Sequence, residues 1–108
     1  MATTAKTIWV NISMDKAIDL VAATDGSLVS IIRLHGEKGN QCAVAIFEKY
    51  YARMRASSVA TLVFDSDDGN VKIICVCAGA GSNPDFGANM HFQKAILNAL
   101  SSVAIDKP

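Results

Sequence analysis

Apolar and polar residues alternate along the chain, and the period of the alternation changes from one segment to the next. Residues 8–12 (IWVNI) alternate with a period of two, which predicts a first strand. Ser13 is a typical N-cap residue, and the apolar residues after it recur at helical spacing. The pattern therefore predicts a helix over residues 14–24, with Gly26 as its C-terminal stop.

A period of two returns at Leu28 and predicts a second strand, followed by the hairpin loop HGEKGN. Alternation places Leu28, Ile32 and Leu34 on one face of this strand and Val29, Ile31 and Arg33 on the other. Residues 41–54 fit both a strand and a helical stripe, and we assign them to a third strand because they are rich in β-branched and aromatic residues.

Residues 59–64 (VATLVF) and Asn70–Ala78 predict two further strands, and Asp68-Gly69 between them is a strong hairpin signal. A glycine-bearing loop follows, and a last helix is expected after Gly87. Its apolar stripe consists of Phe92, Ala95, Ile96, Ala99, Leu100 and Val103.

The predicted order is β-α-β-β-β-β-α in one domain spanning residues 1–108. Consecutive strands joined by short turns form an antiparallel meander, and two helices with one apolar stripe each cover one face of it. The sequence therefore predicts a two-layer α+β sandwich. We expect the other sheet face to expose Val29, Ile31 and Trp9 to solvent unless a partner or the curvature of the sheet itself covers it.

The run FEKYY and the glycine-bearing loop before the last helix resemble a family of small bacterial proteins catalogued as a domain of unknown function. The similar region extends over FEKYYARMRASSVATLVF, the following strand, the loop AGAGSNPDFGA and the C-terminal helix. The resemblance implies an α+β fold and a strand over residues 41–54. It implies no activity.

Composition narrows the classes of partner. With 51% hydrophobic residues in 108, the chain has more apolar surface than one small core is expected to bury, which favours a homodimer. The formal net charge of zero argues against binding to nucleic acid.

No apolar run approaches the roughly 20 residues of a membrane span, and the first residues lack the pattern of a secretory leader. Three cysteines without framework spacing suit the reducing cytoplasm.

No motif of a known cofactor or catalytic site is present. The loop containing Gly79 and Gly81 has Pro84 where a dinucleotide loop needs glycine, and it lacks the lysine of a P-loop. Cys75 and Cys77 share one side of a strand, yet with Cys42, His35 and His91 they match no zinc spacing. We expect no cofactor and no metal, and the cysteines are expected to act as small core residues.

Two non-enzymatic functions are favoured, and an enzyme ranks third because the sequence shows no paired acid and base, nucleophile group or metal spacing. The first is a self-association or protein-binding module that uses the exposed sheet face, with Tyr51 and Arg53 contributing contact area and hydrogen bonds. The second is a small apolar-ligand-binding protein, with a pocket between the sheet and the last helix that is rimmed by Tyr50, Asp85 and His91.

Overall fold

A computed structural model describes residues 5–24, 26–35, 41–52, 55–67, 69–78 and 87–107. The elements in chain order are β1 (Ala5–Val10), α1 (Met14–Ala22), β2 (Ser27–His35), β3 (Gln41–Tyr51), β4 (Ala56–Asp67), β5 (Asn70–Ala78), α2 (Ala88–Leu100) and β6 (Ala104–Ile105). One turn of 3-10 helix, Ser101–Val103, connects α2 to β6.

The strands form one antiparallel sheet in the order β2-β3-β4-β5-β1-β6. Strands β2 to β5 are the predicted meander, and β1 returns to pair along the free edge of β5. The α+β sandwich and its element order are confirmed. The two-residue strand β6 is an addition, because Trp9 and Val10 pair with it at the outer edge of β1.

The third strand, which was ambiguous in sequence, is a strand from Gln41 to Tyr51. Its buried positions, Ala43, Ala45 and Phe47, recur with a period of two. Pairing to β2 on one side and β4 on the other satisfies its backbone hydrogen bonds, so tertiary context overrides the helical reading of the same residues.

Both helices lie on one face of the sheet. Helix α1 begins as predicted, because the Ser13 hydroxyl accepts a hydrogen bond of 3.2 Å from the backbone N–H of Lys16. Helix α2 contributes its buried stripe at every fourth residue, and its N-cap Gly87 has a left-handed φ of 75°. The core between the layers includes Val10, Val21, Phe47, Leu62, Phe64, Ile73, Phe92, Ile96 and Leu100.

Two local expectations are wrong. A β-bulge between Leu28 and Ser30 shifts the register of β2, so Ile31 packs against the core and Ile32 takes its place on the open face. Helix α1 ends at Ala22, with Ala23 as its cap, so Gly26 does not terminate it. Gly26 instead lies against Phe92 of α2 and has no room for a side chain there.

Candidate functional site

The sheet face opposite the helices carries a continuous set of aliphatic side chains. Strand register aligns Ile32, Val44, Val63 and Ile74 in one row across four neighbouring strands. We refer to this surface as the uncovered face, and its apolar members are Trp9, Ile32, Leu34, Val44, Ile46, Val59, Val63, Ile74 and Val76. Ile32 and Leu34 are more than half exposed, and the other members of the uncovered face are partly exposed.

Charged residues on the uncovered face lie towards its two ends. Glu48 on β3 is near one end, while Asp65 and Lys72 are paired in register at the other. The ammonium of Lys72 lies 5.7 Å from the centroid of the Trp9 ring, a cation–π distance. The centre of the face is therefore mostly aliphatic, with Thr61 on β4 as a polar member, and its margin carries charges of both signs.

The predicted site residues do not come together as one group. Tyr50 projects from the uncovered face and is 60% exposed, whereas Tyr51 lies on the helix-covered side and packs against the core. The expectation that Tyr51 contributes to the exposed sheet face is therefore wrong. Arg53 and Asp85 lie outside the described residues.

Tyr51 and His91 meet beside a cleft of about 250 Å³ whose lining also includes Lys49 and Thr24. The Tyr51 ring centroid is 6.3 Å from that of His91 and 6.5 Å from that of Phe92, and the Lys49 ammonium is 5.4 Å from the Tyr51 centroid. Because Tyr50 projects from the opposite side of the sheet, a pocket rimmed jointly by Tyr50 and His91 does not form. These contacts anchor α2 to the end of β3.

A second cleft, of about 440 Å³, lies between α2 and the edge of the sheet. We call it the α2 cleft. Its walls include Lys6 from β1, Cys77 from β5, and Met90 and Lys94 from α2. Near it, the amide oxygen of Asn89 accepts a hydrogen bond of 2.6 Å from the buried hydroxyl of Ser58, which couples α2 to β4.

Cys75 and Cys77 are both buried on the helix-covered side of β5, with their sulfurs 4.0 Å apart. The hydrogen bond between the two thiols, together with burial, raises the pKa of Cys75. The same hydrogen bond lowers the pKa of Cys77, and burial opposes that change. Within the described ranges, no group of three or more histidine, cysteine, aspartate or glutamate side chains is placed to hold a metal ion.

One sequence pattern, which is missed when only alternation is considered, indicates that the uncovered face is apolar. Strands β3, β4 and β5 carry apolar residues at positions of both parities, as in CAVAIF, VATLVF and VKIICVCA. An antiparallel strand with one solvated face normally alternates with polar residues, so the continuous apolar runs predict apolar side chains on both faces of the sheet.

No family model matches the chain, and no curated protein matches it. The chain is similar to TTHA0849 from Thermus thermophilus, a protein of known crystal structure, with 10% sequence identity and a TM-score of 0.47. The similarity covers 94% of this chain and 95% of that one. A similarity of this extent indicates no function. Among the described residues, no helix has the length and apolar character needed to cross a membrane.

Proposed function

We propose that the protein is a non-enzymatic cytoplasmic module that forms a homodimer through the uncovered face. The aliphatic row of Ile32, Val44, Val63 and Ile74 carries this proposal, because a contiguous apolar patch with a charged rim is typical of a protein–protein interaction surface. Its free cysteines suit the reducing conditions of the cytoplasm.

The size of the face supports a second copy as its occupant. Five strands about 4.8 Å apart and about seven residues long, at about 3.3 Å per residue, span an area of about 24 by 23 Å. Two such faces bury about 1,100 Å² of flat area between them, which meets the roughly 1,000 Å² that a specific interface requires. The area is small for a protein dimer, so we expect a dissociation constant in the micromolar range.

The shape and charge of the face also favour self-association. Valine and isoleucine side chains of similar height project from the centre of the face, and two sheets pack face to face about 10 Å apart. A two-fold axis brings the same patch of both copies together, so an aliphatic centre meets an aliphatic centre. Glu48, Asp65 and Lys72 sum to one negative charge, which gives no strong field to select a charged partner.

The test compares two substitutions of the same chemical kind. Ile74→Lys places a charge in the centre of the face, and Met90→Lys places one at a residue that is 62% exposed on α2, on the opposite side of the sheet. Size-exclusion chromatography with light scattering should give dimers for the wild type and Met90→Lys and a monomer for Ile74→Lys. Equal masses for all three proteins would contradict the proposal.

The α2 cleft supports a second candidate function, a small apolar-ligand-binding protein. Its volume of about 440 Å³ lies in the range of about 300–1,000 Å³ typical of ligand sites. Met90 and Leu97 supply apolar surface there. This function predicts a rise in melting temperature with some member of an apolar ligand library and loss of that rise in Leu97→Lys. A screen without any such rise would contradict it.

A further inference from the structure

Cys75 and Cys77 form a dithiol that the proposed dimer does not use. They lie on the helix-covered side of β5, whereas Val76 between them belongs to the uncovered face. Their sulfurs are 4.0 Å apart, and pairing of β5 with both β4 and β1 fixes the backbone that carries them. We propose that these two sulfurs bind one monovalent copper ion beside the α2 cleft, which Cys77 lines.

The separation of the sulfurs matches the span of two thiolates on one metal ion. With metal–sulfur bonds of about 2.3 Å, as in zinc thiolates, two sulfurs on one ion are about 3.8 Å apart at a tetrahedral angle and about 4.6 Å apart at a linear one. The observed 4.0 Å corresponds to an angle near 120°. The spacing of the two sulfurs therefore lies within the range that two thiolates on one ion span.

The same separation disfavours a disulfide. Bonded sulfurs are about 2.05 Å apart, so the pair would have to close by about half its present distance. Residues two apart on a strand have Cα atoms about 6.6 Å apart, at about 3.3 Å per residue, which is near the upper limit of about 6.8 Å for a disulfide. Both thiols therefore stay available in the reduced state.

The number and chemical type of the ligands at the site determine which metal it favours. Zinc requires about four ligands in tetrahedral arrangement, and the described part of the chain supplies only these two thiols at this place. Thiolate and thioether sulfurs are soft ligands that favour monovalent copper. Met90, which has a thioether, lines the same cleft as Cys77.

Solvent access to Cys77 and the charges of the side chains that line the α2 cleft are also suitable for binding the copper ion. Cys77 is 5% exposed and lines the α2 cleft, so an ion can reach this residue from solvent, while Cys75 is fully buried behind it. When one proton is shared between the two sulfurs, Cu⁺ replaces that proton and leaves a complex of two thiolates and one cation with a net charge of −1. Lys6 and Lys94 line the cleft and form no ion pair with a carboxylate in the described ranges, so their positive charges can offset it.

The experiment is an anaerobic titration of the full chain with Cu(I), in competition with a chromophoric Cu(I) chelator and with ascorbate as the reductant. The wild type should withdraw one equivalent of copper. Cys75→Ala and Cys77→Ala should each lower the affinity at least tenfold, while Cys42→Ala, the matched control, should leave it unchanged. X-ray absorption of the wild-type complex should show copper with sulfur neighbours only or predominantly, which tests the site even where a variant fails to fold.

Three results would overturn the proposal: no copper withdrawn by the wild type, equal loss in Cys42→Ala and Cys77→Ala, or a shell of nitrogen and oxygen around the metal. The outcome is independent of the dimer, because the cysteine pair and the uncovered face lie on opposite sides of the sheet.

Discussion

Replacement of Gly26 by alanine tests how tightly Phe92 of α2 packs against the segment that contains Gly26. A Cβ at this position would lie 2.7 Å from Cζ and 2.9 Å from Cε1 of Phe92, and real Cβ atoms do not approach other atoms so closely. The Phe92 ring is fully buried and cannot swing into solvent to relieve the contact. The carbonyl oxygen of Glu48 would lie 3.6 Å from the new methyl group, in ordinary van der Waals contact.

The sign of the stability change on Gly26→Ala distinguishes a steric clash with Phe92 from the usual backbone effect of a Gly→Ala substitution. Gly26 does not have a left-handed φ, and a Gly→Ala change at such a position normally stabilises a protein by about 0.4–1 kcal/mol. Overpacking of a closed core costs about 1–3 kcal/mol. We therefore expect Gly26→Ala to lower the free energy of unfolding by about 1–2 kcal/mol, or the melting temperature by about 4 °C or more.

Urea unfolding followed by circular dichroism, at one fixed protein concentration, measures this change. The matched background is Phe92→Leu, because leucine lacks the two ring atoms that the new methyl group would meet. In that background Gly26→Ala should cost almost nothing or stabilise the protein, and the coupling between the two positions should be about 1–3 kcal/mol. Stabilisation by Gly26→Ala in the wild type, or the same cost in both backgrounds, would refute the reasoning.

Three further substitutions test individual contacts by the same urea assay. Ser13→Ala removes the N-cap of α1 and should cost about 0.5–2 kcal/mol, whereas Ser13→Asp should retain most of the stability. Ser58→Ala deletes the buried hydroxyl that donates to Asn89 and should cost about 1–3 kcal/mol, so a neutral result would show that this hydrogen bond is dispensable. Arg33→Ala breaks the 2.7 Å ion pair with Asp15, but both side chains are at least half exposed, so we expect a loss below about 1 kcal/mol.

Local patterns predicted most of the fold. Ser13 and the helical spacing after it are sufficient to start α1, since an N-cap depends on neighbouring backbone groups. The two-residue connection from Asp67 to Asn70 follows from the turn signal that includes Gly69, whose φ of 84° favours glycine. These features depend on residues close together in sequence.

Features that depend on distant residues were not predictable. The bulge that moves Ile31 into the core depends on how β2 pairs with β3, and alternation counted along one strand cannot detect it. The side of the sheet on which Tyr51 lies depends on where α2 docks. The role of Gly26 depends on an aromatic ring 66 residues further along the chain, Phe92.

The dimer through the uncovered face is the central claim, and sedimentation velocity of the wild-type chain over a dilution series tests it most directly. Between about 1 and about 200 µM the weight-average mass should rise from near 11.4 kDa towards twice that value, with no larger species. A constant mass of one chain over the whole series would contradict the claim, as would growth beyond two chains.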